Sequence, residues 1–316
     1  MCFNHTPEAK KPVLSVSVED PTRESPDGER RGFVKNLAAG GAVMATGSAL
    51  ASCATNPETG RKQFVGLAPG GASLSNMAAA SWAELKEKTP TSNDPRYTQR
   101  LRNIGNRISR GANRADQKWD YAVFDTDTKN AFVLPGNRVG FYKGMMDFTD
   151  NDDQIAGIMG HEVGHVAGEH ARERMSLQMA SQVAVVGGAV LGSSQLSKRC
   201  RNVPAAQQTS CMNNANRNAQ MLVQALGLGA QIGLVLPYSR KHESESDLLG
   251  VNYMHKAGYN PYQAVRLWEK MAADNPNRQP EFLSTHPDPS NRARNINDYI
   301  KRQEKMGSQG FKNINT

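Results

Sequence analysis

The sequence predicts an α+β fold, mostly helical, with a small mixed β-sheet beside a helix that carries an H-E-x-x-H motif. Three observations predict it. Tyr97, Leu101, Ile104 and Ile108 recur at i, i+4, i+7 and i+11, an apolar stripe of the kind a helix buries. Trp119 to Phe124 and Arg138 to Tyr142 alternate and carry aromatic and β-branched residues, with the turn signal Leu134-Pro135-Gly136-Asn137 just before the second segment. Ile155 to Met175 has the pattern of one long helix, opened by Asp152 and Asp153 and containing His161-Glu162-Val163-Gly164-His165.

The chain has 316 residues and a formal charge of +8. It divides into a leader over 1–52, a tether over 53–70, one folded domain over 71–302 and a polar tail over 303–316. The leader holds six Lys/Arg against six Asp/Glu, so the positive excess belongs to the rest of the chain. Its Lys and Arg are scattered and no basic run interleaves with aromatics, which argues against a nucleic-acid partner. Of the four cysteines, Cys200 and Cys211 are spaced to close a short loop in an exported protein, with free buried thiols as the alternative.

Within the leader, Arg30, Arg31, Phe33 and Lys35 resemble a twin-arginine export signal, and Leu37 to Ala51 is an uncharged stretch too short to span a bilayer. Leu50-Ala51-Ser52-Cys53 resembles a bacterial lipobox, in which Cys53 becomes the lipid-modified first residue. The expectation is export to the bacterial periplasm and lipid anchoring, with Ala54 favouring the outer membrane.

Along the mature chain, Asn56 to Lys62 is turn-rich, and Leu74 to Lys88 is helical in character. Two uncharged apolar stretches, Met179 to Ser194 and Ala219 to Leu236, are interrupted by Gln182, Gln224 and Gln231, which suits buried or membrane-surface helices better than spanning ones. Asn260-Pro261 and Asp288-Pro289 each set a capping residue before proline at a helix start. Ser308 to Thr316 reads as a disordered end.

The chemistry lies in the five-residue motif. On a helix, residues four apart share a face, so His161 and His165 can bind one metal ion, each at about 2.0 to 2.1 Å. Glu162 projects beside that ion, where a carboxylate takes a proton from water as a general base. A catalytic zinc needs a third protein ligand. Glu169 and Glu173 sit about 12 and 18 Å along a straight helix from His161, at about 1.5 Å per residue, so the ligand must come from another element. A metzincin would place its third histidine at Ala171, and His170 is one residue too early, which leaves His170 a surface or packing residue.

The candidate ligand is Glu243, in Ser239-Arg240-Lys241-His242-Glu243-Ser244-Glu245-Ser246-Asp247. Asp247, four residues on, shares its face and can accept the spare N–H of a ligand histidine. Glu245 lies about 200° round the helix and is expected to face elsewhere.

H-E-V-G-H, the later S-R-K-H-E-S-E-S-D and Thr285-His286-Pro287 together resemble the HtpX-like and CAAX-prenyl-protease-like zinc metallopeptidases. With Cys53 and the following N-P-E-T-G-R-K-Q-F, the chain is most similar to that family's periplasmic lipoprotein branch. The resemblance implies a gluzincin-type metalloprotease core with one Zn2+ per chain at His161, His165 and Glu243, base Glu162 and orienting Asp247. It puts His286 near the metal, where it either stabilises the oxyanion or holds the open position. A capped-turn histidine is the remaining alternative. Asn130-Ala131-Phe132 and the strand Arg138 to Tyr142 resemble the family's active-site edge strand, to which an extended substrate adds.

The expected function is endoproteolysis of extended or misfolded periplasmic or outer-membrane polypeptides. One rival is a chaperone-like binding factor for outer-membrane protein assembly, with cleavage rare or gated. Another is an integral membrane protease.

Overall fold

The computed structural model describes residues 53–183, 200–201, 203–214, 238–274, 281–286 and 289–311. The stretch expected as a tether is instead folded. Strands β1 (Cys53–Thr55) and β2 (Lys62–Phe64) pair antiparallel, and Asn56, Thr59, Arg61 and Gln63 are all buried. Asn56 accepts from the backbone N–H groups of Glu58 and Thr59, which ties the turn down.

Helix α1 (Gly71–Lys88) is followed by α2 (Pro95–Gly111), which starts with Pro95 at its first position and with Asp94 accepting from the N–H of Arg96. The stripe on α2 buries as its spacing requires: Leu101, Ile104 and Ile108 are in the core and Tyr97 packs half-exposed at its margin.

The sheet is mixed, as expected, and has three strands in the order β3 (Asp120–Phe124), β5 (Arg138–Tyr142), β4 (Ala131–Leu134). β3 and β5 are parallel, and β4 and β5 are antiparallel. Gly136 and Asn137 take positive φ at the β4–β5 reversal, a conformation these two residue types favour. Arg138 to Tyr142, expected at the edge, is the central strand, because β3 pairs along its other side. The edge strands are β3 and β4, and β4 begins at Ala131.

After the short helix α3 (Lys143–Phe148), the motif helix α4 (Asp152–Ala167) is capped by Asn151, which accepts from Gln154 N–H. The single helix expected to Met175 breaks at Gly168 and Glu169, and helix resumes over 170–183. Glu169 is left-handed at φ 49°, and the hairpin stabilises the break from outside. Asn56 Nδ2 donates to Ala167 O at 3.0 Å, and Gln63 Nε2 donates to Gly168 O. These carbonyls have no partner within their own helix, so the hairpin acts as its C-terminal cap.

Helix α5 (Arg240–Lys256), capped by Ser239, crosses α4 at backbone contact. A Cβ on Gly160 would lie 2.8 Å from Gly250 O, and one on Gly164 would lie 2.8 Å from Ser246 O. No side chain fits at either point, so these glycines bring Glu243 to the histidine pair.

Helices α6 (Tyr262–Ala273), α7 (Phe282–Thr285) and α8 (Pro289–Lys305) complete the domain. The two proline-marked starts hold to within a residue; Asp288 lies outside the described residues. The expected tail is folded further than its composition suggests. Phe311 is buried and stacked on His255 at 4.0 Å, and its N–H donates to Gln303. Cys200 and Cys211 form a disulfide. Most of the two apolar stretches lies outside the described residues, among which no helix is long and apolar enough to cross a membrane.

Candidate active site

His161 and His165 lie on consecutive turns of α4, and their Nε2 atoms face each other at 3.0 Å. Glu243, from the first turn of α5, sets its carboxylate 3.5 Å from the first of these nitrogens and 3.4 Å from the second. His286, just after α7, brings Nδ1 to 3.1 Å from both His161 Nε2 and Glu243 Oε1. One ligand atom from each of the four lies within 4.8 Å of all the others, and all four residues are buried.

The other face of each motif histidine is also engaged. His161 Nδ1 lies 2.9 Å from Asp247 Oδ1, and a carboxylate there can only accept. His165 Nδ1 lies 2.9 Å from His170 Nδ1, and His170 Nε2 lies 2.9 Å from Glu245 Oε2. Burial pushes His170 down to about 4, so its ring is neutral near pH 7. Its one N–H then goes to Glu245, its Nδ1 accepts, and His165 Nδ1 must be the donor. His165 Nε2 is therefore a bare lone pair, and a neutral His161 that donates from Nδ1 to Asp247 presents a second one to it at contact distance. That arrangement is repulsive unless a cation lies between them, and it fits zinc.

Glu162 supplies the second test of fit. Both of its carboxylate oxygens are buried without a hydrogen-bond partner, the nearest basic atom being His286 Nε2 at 3.5 Å. Burial raises its pKa above the usual carboxylate value. A buried carboxyl with nothing to bond is costly unless a water or substrate meets it. Glu243 behaves oppositely: burial opposes its ionisation, but attraction to His286, Arg292 and His161 holds it well below the carboxylate range. It is a ready anionic donor.

The structure brings His161, His165, Glu243 and His286 together, sets Glu162 beside His286, and places Asp247 Oδ1 2.9 Å from His161 Nδ1. Asn130 and Ala131 are buried at the start of the β4 edge, and Phe132 stacks within an aromatic group with Phe124 and Tyr142. Lys129 O, beside them, accepts from Phe282 N–H, so α7 lies against this edge and carries His286 over the site.

Four residues exceed the sequence reading. His170, expected on a surface or in ordinary packing, is fully buried and touches a ligand; five helical residues after His165 would turn about 140° away, and the break at Glu169 redirects it. Glu245 does face away from the metal, but towards His170 and Arg61. Arg292 of α8 donates to both oxygens of Asp247 and lies 2.8 Å from Glu243 Oε2, with its guanidinium over Trp268. Tyr238 stacks on His165 at 3.9 Å. Neither Arg292 nor Tyr238 carries a local signal; only their positions in space give them a role.

An H-E-x-x-H helix and a distant carboxylate closing around one cation, in a mostly helical α+β domain, define the gluzincin-type zinc metallopeptidases. The chain belongs to peptidase family M48, whose model matches residues 95–300. It is 30% identical over 190 residues to the mitochondrial metalloendopeptidase OMA1 of Schizosaccharomyces pombe, covering 59% of this chain and 48% of that one. It is 27% identical over 233 residues to the beta-barrel assembly-enhancing protease of Escherichia coli, covering 72% and 44%. It is also 24% identical over 216 residues to the metalloprotease LoiP of the same organism, covering 68% and 73%. The chain spans about half the length of the first two relatives.

Proposed function

We propose that the chain is an endopeptidase for extended or misfolded polypeptides of the bacterial periplasm and outer membrane. The observation that carries this is the convergence of His161, His165 and Glu243 beside the unpartnered Glu162. The relatives named for beta-barrel assembly and as metalloproteases support the setting.

An extended substrate adds to β4 at Asn130, Ala131 and Phe132, where backbone bonds give affinity with little side-chain selectivity. Zinc, when bound by the two histidines and Glu243, polarises the scissile carbonyl and acidifies water. Glu162 takes the proton of the attacking water and returns it to the leaving amine. Asp247 and His170 hold the two imidazoles in the tautomer that leaves Nε2 free to ligate.

His286 favours a gated form of this activity. Its Nδ1 lies among the donors, and the ligands, the base and His286 are each at most 2% exposed, so the site is closed. In this reading His286 would block the donor cluster at rest and move with α7 when substrate adds. The chaperone-like alternative rests on the same closure. The test is direct: chelation should abolish cleavage of an unfolded protein, zinc should restore it, and Glu243→Ala should lose the metal. Undiminished cleavage by the metal-free chain would end the proposal.

Anchoring to the outer membrane belongs to the same proposal, for a mature chain that begins at Cys53 and carries a lipid thioether there. The mass of the N-terminal peptide in membrane fractions is expected to show the lipid; an unmodified terminus upstream of Cys53 would remove the anchor.

A further inference from the structure

The hairpin at residues 53–64 lies outside the residues the family model matches, yet it reaches the metal centre through a continuous polar line. Arg61 is 8% exposed and sits between two buried carboxylates. Its Nε donates to Glu245 Oε2 at 2.7 Å, and its two terminal nitrogens donate to Glu173 at 3.0 and 2.6 Å. The same Glu245 oxygen receives the N–H of His170, whose other nitrogen receives the N–H of His165. His161 thus has a carboxylate directly behind it, whereas His165 has one only at second hand, and that carboxylate is charge-balanced by a residue far away in the chain.

We infer that Arg61 is a positioning residue for the metal site: by holding the Glu245 carboxylate against His170, it orients His165 and sets its basicity towards zinc. The inference rests on the metal-site reading above. Its physical basis is that a ligand imidazole gains both orientation and donor strength from the acceptor behind its spare N–H. Without Arg61, Glu245 would be a buried anion with one partner fewer, free to turn from His170. The hairpin then does more than cap α4. It completes the zinc centre from outside the matched domain.

Glu173 supplies the control, because it shares the buried ion group with Arg61, Gln63 and His242 but does not touch His170. Zinc affinity of the full chain is measured by competition with a chromogenic chelator, beside the visible spectrum of the cobalt-substituted protein and thermal unfolding. Arg61→Met and Glu245→Gln are expected to weaken zinc binding by about 10 to 100-fold and to alter the cobalt spectrum. Arg61→Lys should recover part of the affinity. Glu173→Gln should lower thermal stability and weaken zinc binding far less than Arg61→Met or Glu245→Gln.

The inference is overturned if Arg61→Met and Glu245→Gln bind zinc as the wild type does, whatever their stability, or if Glu173→Gln weakens zinc as much as they do. Should Arg61→Met fail to fold, Glu245→Gln decides alone, since it keeps the size of the side chain it replaces. A wild-type chain that bound no zinc would remove the proposed function and this inference with it. Wild-type binding with unaffected variants would remove this inference only.

Discussion

Glu162→Gln is expected to bind zinc like the wild type and to cleave unfolded protein about 10² to 10⁴-fold more slowly, the usual span of a lost general base. The amide keeps the shape of the side chain and cannot take the proton. Its effect on stability should have the opposite sign. Burial raises the Glu162 pKa, so the folded metal-free chain holds that proton more tightly than the unfolded one. Stability is then lost as pH rises from the ordinary 4.5 through the raised value, and Gln removes that loss. Near neutral pH the metal-free variant should therefore melt no lower than the wild type. Cleavage at the wild-type rate with zinc bound would refute Glu162 as base. If the inactive variant restores a deletion strain fully, the binding-factor reading gains over the protease reading.

Arg292→Met should produce the largest loss of stability. Arg292 is the guanidinium shared by Asp247 and Glu243, all three buried, and Met fills part of its volume without the charge. Removing one member of such a group leaves the others desolvated and unbalanced, a cost of about 3 to 5 kcal/mol. Against a total of about 5 to 15 kcal/mol, that is a large fraction, read as a lower denaturation midpoint of the metal-free chain. Zinc binding should return part of it, because the ion replaces some of the missing positive charge beside Glu243. Arg292→Lys should remain well short of the wild type, since one ammonium cannot span two carboxylates. An unchanged midpoint in Arg292→Met would show that the two carboxylates do not depend on it.

The His286 side of the site was legible only as a resemblance, and the structure sharpens it. Thr285-His286-Pro287 shows no periodicity that points to a metal. Its role depends on α7 being held at Lys129 O and on Phe282 stacking on the imidazole at 4.3 Å. The hairpin shows the opposite failure. Its turn-rich composition, Asn56 to Lys62, reads as a linker, because polar side chains give no sign in sequence that their partners are the C-terminal carbonyls of a helix more than a hundred residues away.

Taken alone, the sequence determined what repeats locally. Helical spacing set His161 and His165 on one face, alternation marked β3 and β5, and the i, i+4 pair Glu243 and Asp247 put both carboxylates on one side of α5. These follow from the fixed geometry of helix and strand, which needs no knowledge of neighbours. Tertiary structure alone decided which strand is the edge, where the motif helix breaks, and which polar residues stand behind the ligands. Those depend on close approach of distant segments: Gly164 against Ser246, Asn56 against Ala167, Arg61 against Glu245. A buried charge or an open carbonyl is satisfied by whatever partner the packing brings near, and that partner's place in the chain obeys no period.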